Sequence, residues 1–190
     1  SVTLITSADL IPTLNAGMRK RAKAALTRAG IALLTNTRVS AISADGVSLD
    51  DGRSLTADAT FISTRARAPA MTAALSLPID GQGAIKLTTM LQSIADPRVF
   101  ASGDCAALDP PVEKAGVFAV RQGPVLAANL IAAALGQPLR PYRPQRQFLV
   151  LLSTADGSAI GGRGPWLSAE GRFVMALKDR IDRAFMARFR

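Results

Sequence analysis

The sequence predicts an α/β fold: a parallel sheet with a β-meander, followed by a C-terminal hairpin and a basic amphipathic helix. Three observations predict it. The chain opens on a short apolar strand, VTLIT, which an amphipathic helical pattern follows. Short alternating runs separated by Asp-Gly pairs come next and indicate a meander. Further on, the strand-like run RVFASG leads into a long helical pattern, so strands and helices alternate along the chain.

Composition excludes several kinds of protein. The 190 residues are 48% apolar and 19% charged, which is typical of a globular domain. Histidine is absent, so Ser-His-Asp and Cys-His catalysis and nearly every mononuclear zinc site are excluded within this chain. Cys105 is the single cysteine; it cannot form an intramolecular disulfide, and a reducing, cytoplasmic setting fits. The formal charge of +9 favours an anionic partner: phosphate, nucleic acid or a membrane surface.

The first third of the chain contains the strand, helix and meander. Residues 2–6 form the predicted first strand, and the pattern NAGMRKRAKAALTRAG predicts a helix that stops at Gly30. A second strand, IALLTNT, precedes the meander, which runs to FIST and turns at Asp45-Gly46 and Asp51-Gly52. This order of elements is typical of the second half of a nucleotide-binding α/β domain.

The rest of the chain holds a long helix and a C-terminal region. We expect strands at AIKLTTMLQS and RVFASG, and then a helix from about 113 to 135. Its apolar run, GPVLAANLIAAALG, is shorter than a membrane span and Ala-rich, as core helices are. Residues 137–146 are Pro-rich and basic and are expected to cross a surface. A hairpin, QFLVLLST with SAIGGRG, precedes the final helix.

The final helix carries an apolar stripe beside cationic faces. The stripe consists of Phe173, Leu177, Ile181, Phe185 and Phe189, and the cations are Lys178, Arg180, Arg183, Arg188 and Arg190. Such a stripe fits packing against the protein or a fused neighbour, and it also fits contact with an anionic membrane. We expect Trp166 to pack against this helix.

Gly103-Asp104 is the main candidate for a binding site. Taken alone, the pair predicts a turn. It ends a predicted strand, however, and a long helix begins about a dozen residues later. A carboxylate there can accept hydrogen bonds from hydroxyl groups, and free N–H groups at a helix start can meet a phosphate or a carbonyl. The neighbouring Cys105 is expected to be a small core residue.

The ordered motifs resemble a known family. PRVFASGDCAAL and KAGVFAVRQGPVLAANL, with the upstream strand-helix-meander pattern, resemble the pyridine nucleotide-disulfide oxidoreductases, flavoproteins with two dinucleotide-binding domains. Within that superfamily the sequence is most similar to the type II NADH dehydrogenase and sulfide:quinone oxidoreductase branch. KAGVFAVRQGPVLA and the tail look like the flavoprotein module associated with selenide, water dikinase.

The resemblance implies a three-layer ββα architecture that is incomplete in this chain. Residues 1–75 would be the C-terminal half of an NAD(P)-binding domain, and 76–136 the C-terminal segment of an FAD-binding domain. Residues 137–190 would form the hairpin and basic helix. The glycine-rich GxGxxG loops of both nucleotide domains are absent, so we expect the chain to begin after the second of them and to be inactive alone.

The resemblance also assigns candidate residues. Gly103 and Asp104 would bind the ribityl chain of FAD, and the helix start would face the pyrimidine edge of the flavin through Lys114, Ala115, Gly116 and Val117. Thr64 and Arg65 match the motif at the end of the nucleotide domain, with an arginine where glycine is usual. Arg121 or Gln122 would face the electron acceptor. No catalytic residue or metal ligand is assigned.

The implied function is that of an FAD-dependent NAD(P)H oxidoreductase. Hydride would pass from the nicotinamide nucleotide to the flavin, and electrons would leave to a quinone or a similar acceptor. The protein would be cytoplasmic or peripheral on the cytoplasmic membrane face. The alternative is a non-catalytic, degenerate flavoprotein module whose basic face binds a membrane surface or a fused enzyme such as selenide, water dikinase. Nucleic acid is not expected, since aromatic residues make up 5% and no nucleic-acid motif occurs.

Overall fold

A computed structural model describes residues 1–64 and 66–189, without the side chain of Phe189. Arg65 and Arg190 therefore lie outside the described residues. The strands in chain order are β1 (Val2–Ile5), β2 (Ile31–Leu34), β3 (Val39–Ser43), β4 (Gly46–Leu49), β5 (Ser54–Thr56), β6 (Ile85–Lys86), β7 (Ala106–Ala107), β8 (Leu149–Ser153), β9 (Ala159–Arg163) and β10 (Leu167–Gly171). The α-helices are α1 (Ala16–Arg28), α2 (Met71–Ala74), α3 (Gly116–Ala134) and α4 (Arg172–Met186), and short 3₁₀ turns occupy Gly103–Cys105 and Ala187–Phe189.

The chain divides into two compact units. One unit combines residues 1–62 with 147–190, so the first and last parts of the sequence fold together. The other unit is continuous and covers residues 63–146. The sequence pattern does not indicate the first combination, because neighbours in that unit lie more than a hundred residues apart along the chain.

The first unit begins with the predicted parallel pair. Strand β1 lies parallel to β2, with Val2 opposite Ile31, and α1 connects them. Helix α1 begins where the Asn15 side chain accepts the N–H of Met18 at 2.9 Å, which satisfies one of the free donors of the first turn. It ends just before Gly30, whose φ of 68° lies in the left-handed region that favours glycine. The predicted strand-helix-strand start is confirmed.

The meander is confirmed over most of its predicted length. Strands β3, β4 and β5 pair antiparallel in that order, and the turns fall at the two Asp-Gly pairs. The predicted last run, FIST, is wrong as a strand: Phe61 is 96% exposed and Ile62 is 67% exposed. No strand among residues 1–64 and 66–189 pairs with it, and an extended segment without a partner leaves its backbone groups to water.

A three-stranded sheet in the C-terminal region forms the centre of this unit. Strand β9 lies between β8 and β10, and all three are antiparallel. The hairpin β8–β9 was predicted; β10 was not, because its five residues LSAEG carry little strand signal. Helix α1 packs on one face of β9, where Met18, Ala22 and Ile160 form the buried core. Helix α4 packs on the other face and buries Val174.

Trp166 and the first three residues of the apolar stripe of α4 are exposed. Trp166 is 91% exposed at the β9–β10 turn, so the prediction that it packs against the final helix is wrong. The reason is that residues 167–171 pair with β9 as a third strand, which leaves the ring on the turn before that strand. Phe173 is 67% exposed, Leu177 43% and Ile181 41%, so these three residues of the stripe do not cover the core of their own unit, whereas Phe185 is half-buried.

The second unit is built around two short parallel strands and α3. Strand β6 pairs with β7, with Ile85 opposite Ala106. Its buried core consists of Ile85, Leu87, Leu91, Ala101, Ala106 and Tyr142. The predicted strand RVFASG is wrong: Phe100 makes only an isolated bridge with Gln92, since no continuous strand lies beside it in the described part of the chain.

Helix α3 has the length and composition of a membrane span, and only 17% of its apolar window is buried in the described part of the chain. Its 19 residues are long and apolar enough to cross a membrane, which corrects the expectation of a shorter run. Gln122 and Asn129 are nevertheless buried on one side of it. Both side chains bond to neighbouring backbone within the second unit, as the polar groups of a core helix do.

The predicted surface segment after α3 has a three-residue period. Within residues 137–146, the inward positions are Leu139, Tyr142 and Gln145, of which Tyr142 is buried, and the exposed arginines are Arg140, Arg143 and Arg146. Three residues per turn is the period of a polyproline II helix. The Pro-rich segment therefore places one apolar face on the unit and one cationic face in solvent.

Candidate functional site

The Gly103–Cys105 turn presents a carboxylate to solvent. Gly103 has a φ of 66°, which a residue with a side chain rarely adopts. A Cβ at this position would also lie 3.4 Å from the Cβ of Ala119 on α3, so the turn packs closely on the helix. Asp104 follows with its side chain exposed. The predicted site therefore contains a glycine that its backbone requires and a free carboxylate beside it.

The turn is bonded to α3 and to the residues that lead into it. The N–H of Gly103 donates to Oε1 of Gln122 at 2.6 Å. The ammonium group of Lys114 donates to the backbone oxygen of Asp104 at 2.5 Å. These two contacts bring the predicted site residues Gly103, Asp104 and Lys114 together.

The N-terminus of α3 is uncapped and open. Ala115, which precedes the helix, offers no side chain to the first N–H groups. Among the described residues, no acceptor bonds to the N–H of Gly116 or Val117. Apart from its chain neighbours and the backbone of its own helix, no atom lies within 4 Å of the point where a Cβ of Gly116 would stand. The helix start can therefore accept the close approach of a flat group and donate to it.

The Gly103-Asp104 turn and the residues around the start of α3 line one cleft. The residues around it are Gly103, Asp104, Ala106, Leu108, Val112, Glu113, Lys114, Ala115, Phe118, Ala119 and Gln122. One wall is apolar, and the rest carries two carboxylates and one ammonium group. Such a lining fits a ligand that has both a ring face and hydroxyl groups.

Lys114 also influences a carboxylate outside the cleft. Burial raises the pKa of Asp80, but the N–H groups of Ala84 and Gln82 and the positive charges of Lys114 and Lys86 outweigh it. The pKa of Asp80 therefore lies below its ordinary value. The positive charge of Lys114 therefore acts on the Asp80 carboxylate and also contributes to the lining of the cleft.

The remaining predicted residues lie elsewhere. Thr64 is exposed and outside the cleft lining, and Arg65 lies outside the described residues. Val117 is half-buried, Gly116 and Arg121 are exposed, and none of the three lines the cleft, although Gly116 and Val117 follow Ala115, which does. Cys105 is half-buried with its thiol 3.7 Å from the backbone oxygen of Ser102, so it lies in the turn without facing the cleft.

Sequence reasoning missed Glu113, Phe118 and the contact made by Gln122. The signal for the last was present: Phe118, Gln122 and Asn129 fall on one face of a helix at spacings of four and seven, and two of them are polar. A polar side chain on a buried helix face needs a hydrogen-bond partner nearby. The partner itself could not be read from the sequence, because it is a backbone group.

The described residues contain no candidate metal site. Nowhere in residues 1–64 and 66–189 do three His, Cys, Asp or Glu side chains come together as a metal site needs.

Comparison with known proteins identifies the family. Residues 1–134 match the family model for pyridine nucleotide-disulphide oxidoreductases. The demethylphylloquinone reductase NdbB of Synechocystis sp. is 29% identical over 157 residues, which are 79% of this chain and 39% of that protein. The sulfide:quinone oxidoreductase of Aquifex aeolicus has a similar fold, with a TM-score of 0.78 at 15% identity over 97% of this chain and 49% of that one.

A ferredoxin reductase of Rhodopseudomonas palustris also shares the fold, with a TM-score of 0.59 at 20% identity over 89% of this chain and 49% of that one. The chain spans about half or less of the length of these proteins. The family match nevertheless covers more than two thirds of the 190 residues. The motif order, the parallel pair with its helix, the meander and the matched residues agree, and the chain belongs to the pyridine nucleotide-disulphide oxidoreductase family.

Proposed function

We propose that the protein is an FAD-dependent NAD(P)H oxidoreductase that passes electrons to a quinone or a quinone-like acceptor. The cleft between the Gly103-Asp104 turn and the start of α3 is the observation that carries this proposal. Flavin, when bound, supplies the two-electron redox chemistry that the side chains of the chain lack. The quinone acceptor is proposed because the similar proteins include a demethylphylloquinone reductase and a sulfide:quinone oxidoreductase.

The residues of the cleft and of the adjoining start of α3 fit the cofactor. The exposed carboxylate of Asp104 can accept hydrogen bonds from sugar-alcohol hydroxyls. The free N–H groups of Gly116 and Val117 can donate to a ring carbonyl, and the positive end of the helix dipole stabilises negative charge there. Lys114 adds a positive charge to the same cleft. These groups would bind and orient the flavin, and none of them exchanges electrons with it.

The acceptor side is proposed at Arg121, which is exposed on α3 and belongs to the same unit as the cleft. Thr64 and Arg65 are proposed near the nicotinamide nucleotide from the family resemblance. The link to a selenide, water dikinase module stays a prediction, since nothing on the described residues bears on it.

The experiment is cofactor binding by the protein as its gene encodes it. We expect the purified protein to carry flavin absorbance, or to gain it when FAD is added, and to oxidise NADH or NADPH with a quinone as acceptor. Asp104→Ala should weaken FAD binding at least tenfold, since a hydrogen bond to a charged group contributes about 1.5–3 kcal/mol. Asp109→Ala, an exposed aspartate outside the cleft, is the control. A protein that stays colourless with added FAD contradicts the proposal.

A second candidate is a non-catalytic module that binds a membrane surface or an enzyme fused to it. The exposed apolar side chains of α4, beside its arginines, favour this candidate. The two candidates differ in one outcome: the module binds anionic lipid without binding FAD. An oxidoreductase that takes its quinone from the bilayer binds both, as a peripheral protein on the cytoplasmic face would.

A further inference from the structure

Gln122 is a buried polar side chain with a task in the cleft. It lies on α3, six residues after Gly116, and is 3% exposed. Its Oε1 atom accepts the N–H of Gly103 at 2.6 Å. If this hydrogen bond were broken, both the buried oxygen of Gln122 and the N–H of Gly103 would lack a partner. Removing the contact is therefore costly. The bond joins the interior of α3 to the turn that holds Asp104.

The turn is held at two backbone atoms. Gln122 binds the N–H of Gly103, and Lys114 binds the oxygen of Asp104 at 2.5 Å. The left-handed φ of Gly103 and its closeness to Ala119 keep the turn packed on the helix. The backbone that carries Asp104 is thereby held near the start of α3, although a dozen residues separate them in sequence.

We propose that Gln122 is a positioning residue that sets the distance between the Asp104 carboxylate and the N-terminus of α3, and that it does not contact the electron acceptor. The proposal rests on the proposed function, in which both groups bind one FAD molecule. A binding site with two fixed halves loses affinity when one half moves by a fraction of an ångström. This role differs from the acceptor-side role predicted from the sequence.

Hydrogen exchange without cofactor tests the contact itself. Gln122→Leu keeps the approximate volume and removes the acceptor, whereas Gln122→Glu keeps an acceptor oxygen at the same reach. Gln137→Leu makes the matched change at an exposed position after α3. We expect the Gly103 amide to exchange about tenfold faster in Gln122→Leu, the effect of losing one ordinary hydrogen bond. It should remain near wild type in Gln122→Glu and in Gln137→Leu.

The Leu87 amide serves as the folding control, since it lies in the buried core of the same unit and donates to the backbone oxygen of Ala107. Unchanged exchange there shows that a faster Gly103 amide is local and that the variant is folded. An unchanged Gly103 amide in Gln122→Leu overturns the proposal.

Cofactor and acceptor binding separate positioning from contact with the acceptor. In the protein as its gene encodes it, Gln122→Leu should weaken FAD binding about tenfold and leave the KM for a water-soluble quinone unchanged. An increased quinone KM with unchanged FAD affinity overturns the proposal in favour of the acceptor-side role. If wild-type protein binds no FAD, the proposed function fails, whereas the exchange result still decides whether Gln122 holds the turn.

Discussion

At the residue scale, Asn129 has the same kind of task as Gln122 about two turns further along α3. It is fully buried, and its side chain makes three hydrogen bonds. Its amide donates to the backbone oxygens of Met90 and Arg140, and its oxygen accepts the N–H of Arg140. One side chain thus joins the helix, the loop before it in sequence and the Pro-rich segment after it.

We expect Asn129→Ala to lower the free energy of unfolding by about 3 kcal/mol, because backbone groups buried beside it lose their partners. Urea denaturation monitored by circular dichroism measures the change. Gln137→Ala, at an exposed position just after the same helix, should change stability by less than about 0.5 kcal/mol. Equal effects of the two substitutions would contradict this interpretation of the Asn129 contacts.

A carboxylate outside the cleft gives a pH prediction. The side chain of Arg98 and then its backbone N–H bond to Asp96 and lower the pKa of that carboxyl from 3.8 to about 2. A carboxyl whose pKa is lower in the folded state stabilises the protein above its unfolded pKa. This contribution is therefore present above pH 3.8 and is lost as the pH falls through about 2.

Asp96→Asn should consequently lose stability near neutral pH and be less sensitive to acid than wild type between pH 4 and pH 2. Thermal unfolding across that range measures both effects. Both are expected to be small, since the pair is exposed to solvent. Asp58→Asn removes an exposed carboxylate that has no ion pair among the described residues and should reproduce neither effect. Parallel pH profiles for wild type and Asp96→Asn would contradict the prediction.

At the element scale, β9 is a strand that two helices approach on opposite faces. A Cβ at Gly162 would lie 2.3 Å from Sδ of Met18 and 2.7 Å from the backbone oxygen of Leu167. A Cβ at Gly161 would lie 2.8 Å from Cγ1 of Val174. Glycine at these two neighbouring positions therefore lets α1 and α4 pack directly on the strand.

Gly162→Ala should cost about 2–3 kcal/mol, because the methionine can move but the backbone of β10 cannot without breaking the sheet. The matched control is Gly123→Ala in α3, where no atom lies within 4 Å of the added carbon. That change should be neutral or stabilise by up to about 1 kcal/mol through helix propensity. Denaturant midpoints measure both variants, and a stable Gly162→Ala protein would contradict the packing.

At the scale of the whole molecule, positive charge and exposed apolar side chains occur together. The chain carries a formal charge of +9. In its C-terminal part Trp166, Phe173, Leu177 and Ile181 are exposed, and arginines accompany them on α4. Apolar side chains that enter a bilayer interface and cations that meet anionic lipid headgroups contribute together to reversible binding.

We expect the protein to co-sediment with vesicles that contain phosphatidylglycerol. Added salt should weaken this binding, because it reduces the range of electrostatic attraction to about 10 Å at 0.1 M. Replacing both Trp166 and Phe173 with alanine should weaken binding about tenfold or more, because each ring removes a large apolar area. Phe61→Ala, which removes an equally exposed ring far away in sequence, should leave binding unchanged. Unchanged binding after replacement of Trp166 and Phe173 would point to charge alone, and an equal loss in Phe61→Ala would show that these two rings have no special role.

The sequence by itself determined most of the order of elements and the place of Gly103-Asp104 before a long helix. Local patterns were sufficient for α1, the meander, the hairpin β8–β9 and Gly103-Asp104 before a long helix, since periodicity, turn residues and capping act over a few residues. The domain boundaries predicted from the family resemblance remain a prediction. FIST and RVFASG did not become strands, because a strand needs a neighbour that local pattern does not specify.

Only the tertiary structure decided what each side chain meets. It exposed Trp166, because β10 pairs with β9, and it gave Gln122 a backbone partner on a turn that precedes it in sequence. It also placed Met18 against Gly162, across more than a hundred residues. Contacts of this kind arise from the packing of elements distant in the chain, and packing depends on three-dimensional shape, which no local stretch of sequence contains.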